Sequence, residues 1–378
     1  MEPYTLNRGF VKQYPIDQFK SLIWTERYEG DSEVEIVVPA TLEMFQKLAV
    51  GTFFGIDSSD EVMILESMNI DNNEMKIIGI SLLSWMDNRF VRTSPKHEDQ
   101  YWYIENEKPG KILWLILYNM CCQGSPYLNG TINTGISNPQ KFIVPGLTLK
   151  AYDTSLSKIV KLSVPYGPVY KAMKDVAATY HLGMQITLDA VSDSSYSLGF
   201  RSYMGLDRTT AQNVNSQVRF SPQMDSFTSI EELQSIKEFK TIVYTFASGL
   251  RKEEGKPVLT TVPGVSSVPG SYSGFDLRAL QVFSSDITSD MVGGSQQKVV
   301  DMLNSRAYDE IVKNHFIKSV DGEIVPESQF KYGVHYNLGD IIEVEGNTGV
   351  IQPARITEYI RSQDESGEKA YPTVTIIE

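Results

Sequence analysis

A chain of 378 residues is long enough for roughly two or three domains, and 41% hydrophobic with 21% charged residues describes a folded globular protein, not a disordered one. The formal net charge of -13, with no long Lys/Arg run, argues against a surface that grips phosphate backbones. It fits plain solubility, or a wall past which DNA slides without sticking.

The chain opens on MEPYTLNRGFVKQYP, which lacks the basic-then-apolar order of a signal peptide. Residues 1–90 read as strands joined by short turns, a small twisted antiparallel sheet or barrel. From Glu33 the sequence alternates, with Val34, Ile36 and Val38 on one face and Glu33, Glu35 and Val37 on the other, until Pro39 ends the strand. Thr41 opens a short helical turn, and the polar IDNNE stretch makes Glu61–Ile80 a hairpin. Residues 91–110 form a polar connection around an aromatic knot, Gln100–Ile104, read as core or interface before a platform for sugar rings. The most apolar run, Ile112 to Cys122, is too short to span a bilayer, so no stable membrane insertion is expected; it is a buried strand or helix. Residues 123–146, rich in Gly, Pro, Asn and Thr, read as a surface loop.

From Val164 the period changes. Val169, Met173, Val176, Ala177 and Tyr180 share one side of a helix, with Pro168 near its start and Gly183 just past its end. A hairpin from Gln185 to Gly205 follows. Further on, Ile242, Tyr244 and Phe246 alternate against Val243 and Thr245 in a strand, and VLTTVPGVSSVPGSYSG reads as a loop. Residues 296–316 form a second helix with the stripe Val300, Leu303, Ala307 and Ile311. The chain closes on a hairpin, Arg355–Ser362 and Thr373–Ile377 joined through Asp364–Gly367. Ile356, Tyr359 and Ile360 break its alternation and mark a bulge.

No motif of established chemistry stands out. His97, His181, His315 and His335 show no metal-ligand spacing. Cys121 and Cys122, the only cysteines, make no disulfide framework. Ser295 has glycines before it but none after it, so it is no nucleophile elbow. Asp189, Asp207, Asp340 and Asp364 sit near strand ends or turns, where Asp accepts backbone N–H bonds. A pair of acidic residues facing each other in a cleft stays open. No catalytic residue, cofactor or metal is expected.

Several pieces together resemble one family, the hub or tail-tip proteins of long-tailed phages, in particular the siphovirus Gp37-like group. They are Trp24, Arg27, Tyr28 and the strand ending at Pro39; Leu82, Leu83 and Arg89 in LLSWMDNRFV; Gly205, Asp207, Arg208 and Thr209, then Val218, Phe220 and Ser221; the LGD turn Leu338, Gly339 and Asp340; and the closing hairpin with Gly367. The resemblance covers about 10–95, 160–225 and 325–378.

It implies the phage hub fold: mainly β with an α+β insertion, two tube-forming β-barrel-like domains plus a smaller α+β domain. The expected domains are 1–155 with the loop 123–146, 156–224, and 225–378 with the helix 296–316 and the closing hairpin. It further implies a non-enzymatic homotrimer, made in the host cytoplasm and placed in the virion at the tail tip or baseplate. There it adapts the sixfold tail to a threefold tip. Its partners are copies of itself, the distal tail ring protein, and tape measure or receptor-binding tip proteins, with DNA only in transit. Because the chain stops after the hairpin, no appended enzyme domain is expected. Ring closure is expected to cover strand edges such as Val34–Val38 and Thr373–Ile377, with Glu33 and Glu35 facing water or the lumen. The alternatives are a tail-associated cell-wall hydrolase and a carbohydrate-binding tail module.

Overall fold

The computed structural model describes residues 1–91, 101–122, 142–192, 195–247, 251–253, 256–258, 263–284, 287, 296–325 and 329–377. The chain divides into two compact units: Met1–Glu231 with Val320–Glu378, and Glu232–Ser319. Most of the 123–146 loop, His97 and Ser295 lie outside the described residues.

Alternation builds the main sheet of the first unit. Val34, Ile36 and Val38 are fully buried, and Leu22 and Trp24 on the neighbouring strand join them with Phe54, Ile56, Met75 and Ile77 in one core. Glu33 and Glu35 take the other face, where they pair with Arg27 and Lys76 at 2.8 Å each. Thr41 caps the short helix Leu42–Lys47 by accepting a bond from the Met44 N–H, as its sequence position predicts. The expected hairpin is present as Met63–Asp71 and Glu74–Ser81.

The 13-stranded sheet runs in the order Phe227–Ser235, Ile317–Ile324, Gly367–Ile376, Ile351–Asp364, Ser21–Arg27, Glu33–Pro39, Glu74–Ser81, Met63–Asp71, Phe53–Ile56, Pro3–Leu6, Lys12–Pro15. Ile341–Glu345 branches from Ile351–Asp364, and Arg219–Phe220 pairs with that branch. Phe227–Ser235 and Ile317–Ile324 carry the chain out of this unit and back.

The expectation of two barrel-like tube domains is overturned. The fold is mixed α/β and dominated by strands, and no sheet closes into a barrel or curls strongly. Closure requires both terminal strands to offer continuous ladders. Lys12–Pro15 is four residues long and ends in a proline without an N–H, and Phe227–Ser235 is broken by Ser229 at φ 54°. The expected edges also fall elsewhere. Glu33–Pro39 lies between Ser21–Arg27 and Glu74–Ser81, and Gly367–Ile376 lies between Ile317–Ile324 and Ile351–Asp364.

A second core in the same unit gathers two helices and a hairpin. The apolar run becomes the helix Pro109–Leu117, extended by a wider π turn to Cys122, with Ile112, Leu113, Ile116 and Leu117 buried. It packs with the helix Val169–Tyr180 through Met173, Val176 and Ala177. That helix ends at His181 in the left-handed conformation (φ 53°), so Gly183 opens the next strand and is not the cap. The hairpin Gly183–Ser192 and Ser195–Tyr203 follows as expected. Of the aromatic knot, Trp102 and Ile104 are core, buried on a strand paired with Val160–Pro165. No helix among the described residues is long and apolar enough to cross a membrane.

The second unit is small. Ile242–Ala247 is the centre of a three-stranded sheet, parallel to Ala279–Ser284 and antiparallel to Gly264–Ser267. Gly264–Ser267 therefore turns part of the expected loop into strand. The helix Gln296–Lys313 is the expected one, but its buried stripe is Val299, Leu303, Ala307 and Ile311, one residue earlier at its start. The Thr245 hydroxyl donates to the Leu303 carbonyl at 2.7 Å. Gly264 lies so close that a Cβ there would come within 2.2 Å of the Leu303 backbone. Leu303→Ala is expected to destabilise this unit by about 3 kcal/mol, whereas Leu42→Ala, at an exposed position, changes stability by less than about 0.5 kcal/mol. Hydrogen exchange of the 296–313 amides reads the first; global denaturation reads the second.

Candidate functional site

Ser21–Arg27 points Leu22, Trp24 and Glu26 to one face, and the chain then turns through Tyr28. The Tyr28 N–H donates to the Thr357 carbonyl at 2.9 Å, which the bulge between Ile356 and Glu358 frees from its own ladder. The buried Tyr28 ring lies under the LGD turn. Gly339 holds φ 89°, and a Cβ there would come within 2.2 Å of the ring. Only glycine combines that conformation with that approach. The Tyr28 hydroxyl shares its one proton between the carbonyls of His181 (3.0 Å) and Tyr203 (3.2 Å), and Arg355 stacks over its ring while donating to the Gly339 carbonyl. Burial raises the pKa of the phenol, which stays a donor.

Asp340 completes the knot. Its carboxylate accepts from the Leu206 N–H (2.7 Å), the Asn337 N–H (2.9 Å) and Arg208 Nε (2.5 Å). Arg208 N–H in turn donates to the Ile341 carbonyl, Ile341 N–H to the Leu206 carbonyl, and Asp207 bridges Ile341 while its carboxylate accepts from Thr209 N–H. At Gly205 a Cβ would come within 1.9 Å of the Gly339 carbonyl oxygen. Leu338 is buried beside Tyr28, and Phe220 meets Tyr336 and Phe330 edge-on in the same core. Beyond it, Glu343 accepts from Thr210 and from both Nε and Nη2 of Arg219. Burial pushes that carboxyl up, but the Thr210 bonds and Arg219 outweigh it and hold it below its ordinary value.

The structure thus brings together Tyr28, Gly205, Asp207, Arg208, Phe220, Leu338, Gly339 and Asp340. On the strand that leads into Tyr28, Trp24 is fully buried with its indole N–H on Glu26, and Arg27 pairs with Glu33 and Glu358. Three residues lie apart. Pro39 ends a strand opposite Glu74, Arg89 donates to the Phe142 carbonyl and covers Trp85, and Gly367 holds φ 121° in the closing turn.

A second buried polar group has no family motif to mark it. Glu26 accepts from Trp24, Ser59, Tyr332 and Arg361, the last at 2.8 Å, and Glu61 lies beside it. Its one sequence signal is Glu26 itself, an acid in register with Leu22 and Trp24 on the apolar face of a strand. Both carboxylates are buried. Burial pushes the Cys121 thiol up to about 12 and Cys122 up to about 11, so neither is a ready thiolate. The ring nitrogens of His315 and His335 bond to the backbone at Val312 and Lys331. No group of three or more His, Cys, Asp or Glu side chains placed to hold a metal occurs among the described residues. The arrangement ties distant segments together.

A family model described as Siphovirus ReqiPepy6 Gp37-like protein matches residues 5–375. No curated protein matches the sequence. Among solved structures, the chain is similar to the tail protein from Neisseria meningitidis MC58, with 11% identity and a TM-score of 0.52 over 100% of this chain and 97% of that one. It is likewise similar to the 43 kDa tail protein of prophage MuSo2 from Shewanella oneidensis, with 10% identity and a TM-score of 0.51 over 99% of this chain and 98% of that one. At such identities the likeness is one of fold.

Gly205→Ala forces a methyl group into the Gly339 carbonyl and is expected to cost about 3 kcal/mol. Gly167→Ala, with open space around it, is expected to stay within about 0.5 kcal/mol of the parent. Urea unfolding midpoints compare the two.

Proposed function

The chain belongs to the siphovirus ReqiPepy6 Gp37-like family, and from that membership we propose that it is a structural hub of the phage tail tip or baseplate. The observation that carries this reading is the family match across nearly the whole chain, joined by a fold shared end to end with a prophage tail protein and a second tail protein. The hub works as a ring of three copies that adapts a sixfold tail to a threefold tip and leaves a passage for DNA. Its partners are the distal tail ring protein on one side and tape measure or receptor-binding tip proteins on the other. A net charge of -13 suits a passage that lets DNA move through without binding it.

The role is structural, not enzymatic. A wall-degrading glycosidase needs two carboxylates across an accessible cleft, and the closely placed pair Glu26 and Glu61 is buried, with Glu26 committed to Arg361. A sugar platform at Gln100–Ile104 is disfavoured by the burial of Trp102 and Ile104.

Light scattering beside negative-stain imaging, with the distal tail ring protein added, tests the reading. Particles with threefold symmetry that cap the ring protein are the expected result. A monomer that ignores the ring protein and binds or cleaves peptidoglycan fragments would sink it.

A further inference from the structure

The 183–203 hairpin meets the main sheet along a seam with two backbone pins. The Leu188 N–H donates to the Asp60 carbonyl at 2.7 Å, with Glu61 bridging Thr187 beside it, and the Met184 N–H donates to the Tyr28 carbonyl at 2.9 Å. Between these pins sits the Glu61 side chain. It is buried, and its Oε2 has no hydrogen-bond partner.

The groups around it come from every element at the seam. Ser21–Arg27 supplies Glu26, and the turn after it supplies Ser32. The closing hairpin supplies Arg361, and Tyr332 stands nearby; the 183–203 hairpin supplies Gln185, Arg201 and Tyr203. Arg361 is bonded to Glu26, and Arg201 places Nε and Nη2 on the neutral Gln185 side-chain oxygen, so it attracts Glu61 without forming an ion pair with it. A second negative charge at Glu61 would therefore sit buried beside Glu26 without an ion-pair partner of its own.

We propose that Glu61 is a protonation latch: its neutral carboxyl lets the 183–203 hairpin stay closed on the main sheet, and the seam opens more readily as the proton is lost. Burial first, and Glu26 second, push the Glu61 carboxyl up to about 8, against the pull of Ser32, Gln185 and Arg201. The closed seam holds the proton to higher pH than an open, solvated glutamate, whose ordinary value is 4.5. The latch is therefore tightest below the ordinary carboxylate range, weakens as pH rises from there towards about 8, and is level above that.

Hydrogen exchange of the full chain, corrected for the intrinsic pH dependence of amide exchange, tests this. Protection at the Met184 and Leu188 amides is expected to fall by at least about tenfold between about pH 5.5 and about pH 7.5, and to stay flat over that range in Glu61→Gln. Equal pH dependence in both proteins, or none in the wild type, would overturn the latch. A second readout needs no variant. The Glu61 carboxyl carbon, followed by 13C NMR in the wild-type protein, is expected to titrate near 8; a midpoint in the ordinary carboxylate range would equally overturn it.

Discussion

The Asp340 carboxylate is the acceptor on which the first unit depends. It takes three donors at once, two of them backbone N–H groups from different segments and one from the buried Arg208 guanidinium. Charge-assisted bonds of this kind are among the stronger polar contacts in a protein, and a buried charge is tolerable only when it is so satisfied. Fixing Asp340 fixes the LGD turn. The turn fixes Gly339 over the Tyr28 ring, and the Tyr28 hydroxyl reaches the hairpin through the carbonyls of His181 and Tyr203. One turn thus joins the closing hairpin, the strand that begins at Ser21 and the hairpin that packs under the helices.

That arrangement brings residues scattered in sequence into one compact group in space. Gly205 and Gly339 are glycines because each backbone passes where a side chain would collide. Asp207 and Asp340 do turn work, accepting backbone N–H bonds. The seam at Glu61 belongs to the same logic, since it pins, further along at Thr187 and Leu188, the hairpin that Tyr28 holds at Met184.

Local patterns were legible from the sequence where one physical rule dominated. The alternation of Val34, Ile36 and Val38, the Thr41 cap, both long helices and the closing hairpin with its bulge all follow from periodicity and turn chemistry. Sheet closure was not legible, because it depends on whether distant strand ends meet. The strands taken for exposed edges are interior, since alternation reports which face is buried and says nothing about which neighbours flank a strand. The buried group around Glu26 was invisible for a related reason. Glu26, Glu61, Tyr332 and Arg361 are far apart in the chain, and only the register of Trp24 opposite Arg361 brings them together.

The central claim is that Tyr28, Gly205, Arg208, Gly339 and Asp340 hold the fold of the first unit together. A double-mutant cycle on Arg208 and Asp340, read by chemical unfolding, tests it most directly. Arg208→Ala and Asp340→Ala are each expected to cost about 3 to 5 kcal/mol, with the double variant costing far less than their sum. Single variants that unfold like the parent but no longer assemble into tails would contradict the claim, and would move Arg208 and Asp340 from the interior to an interface.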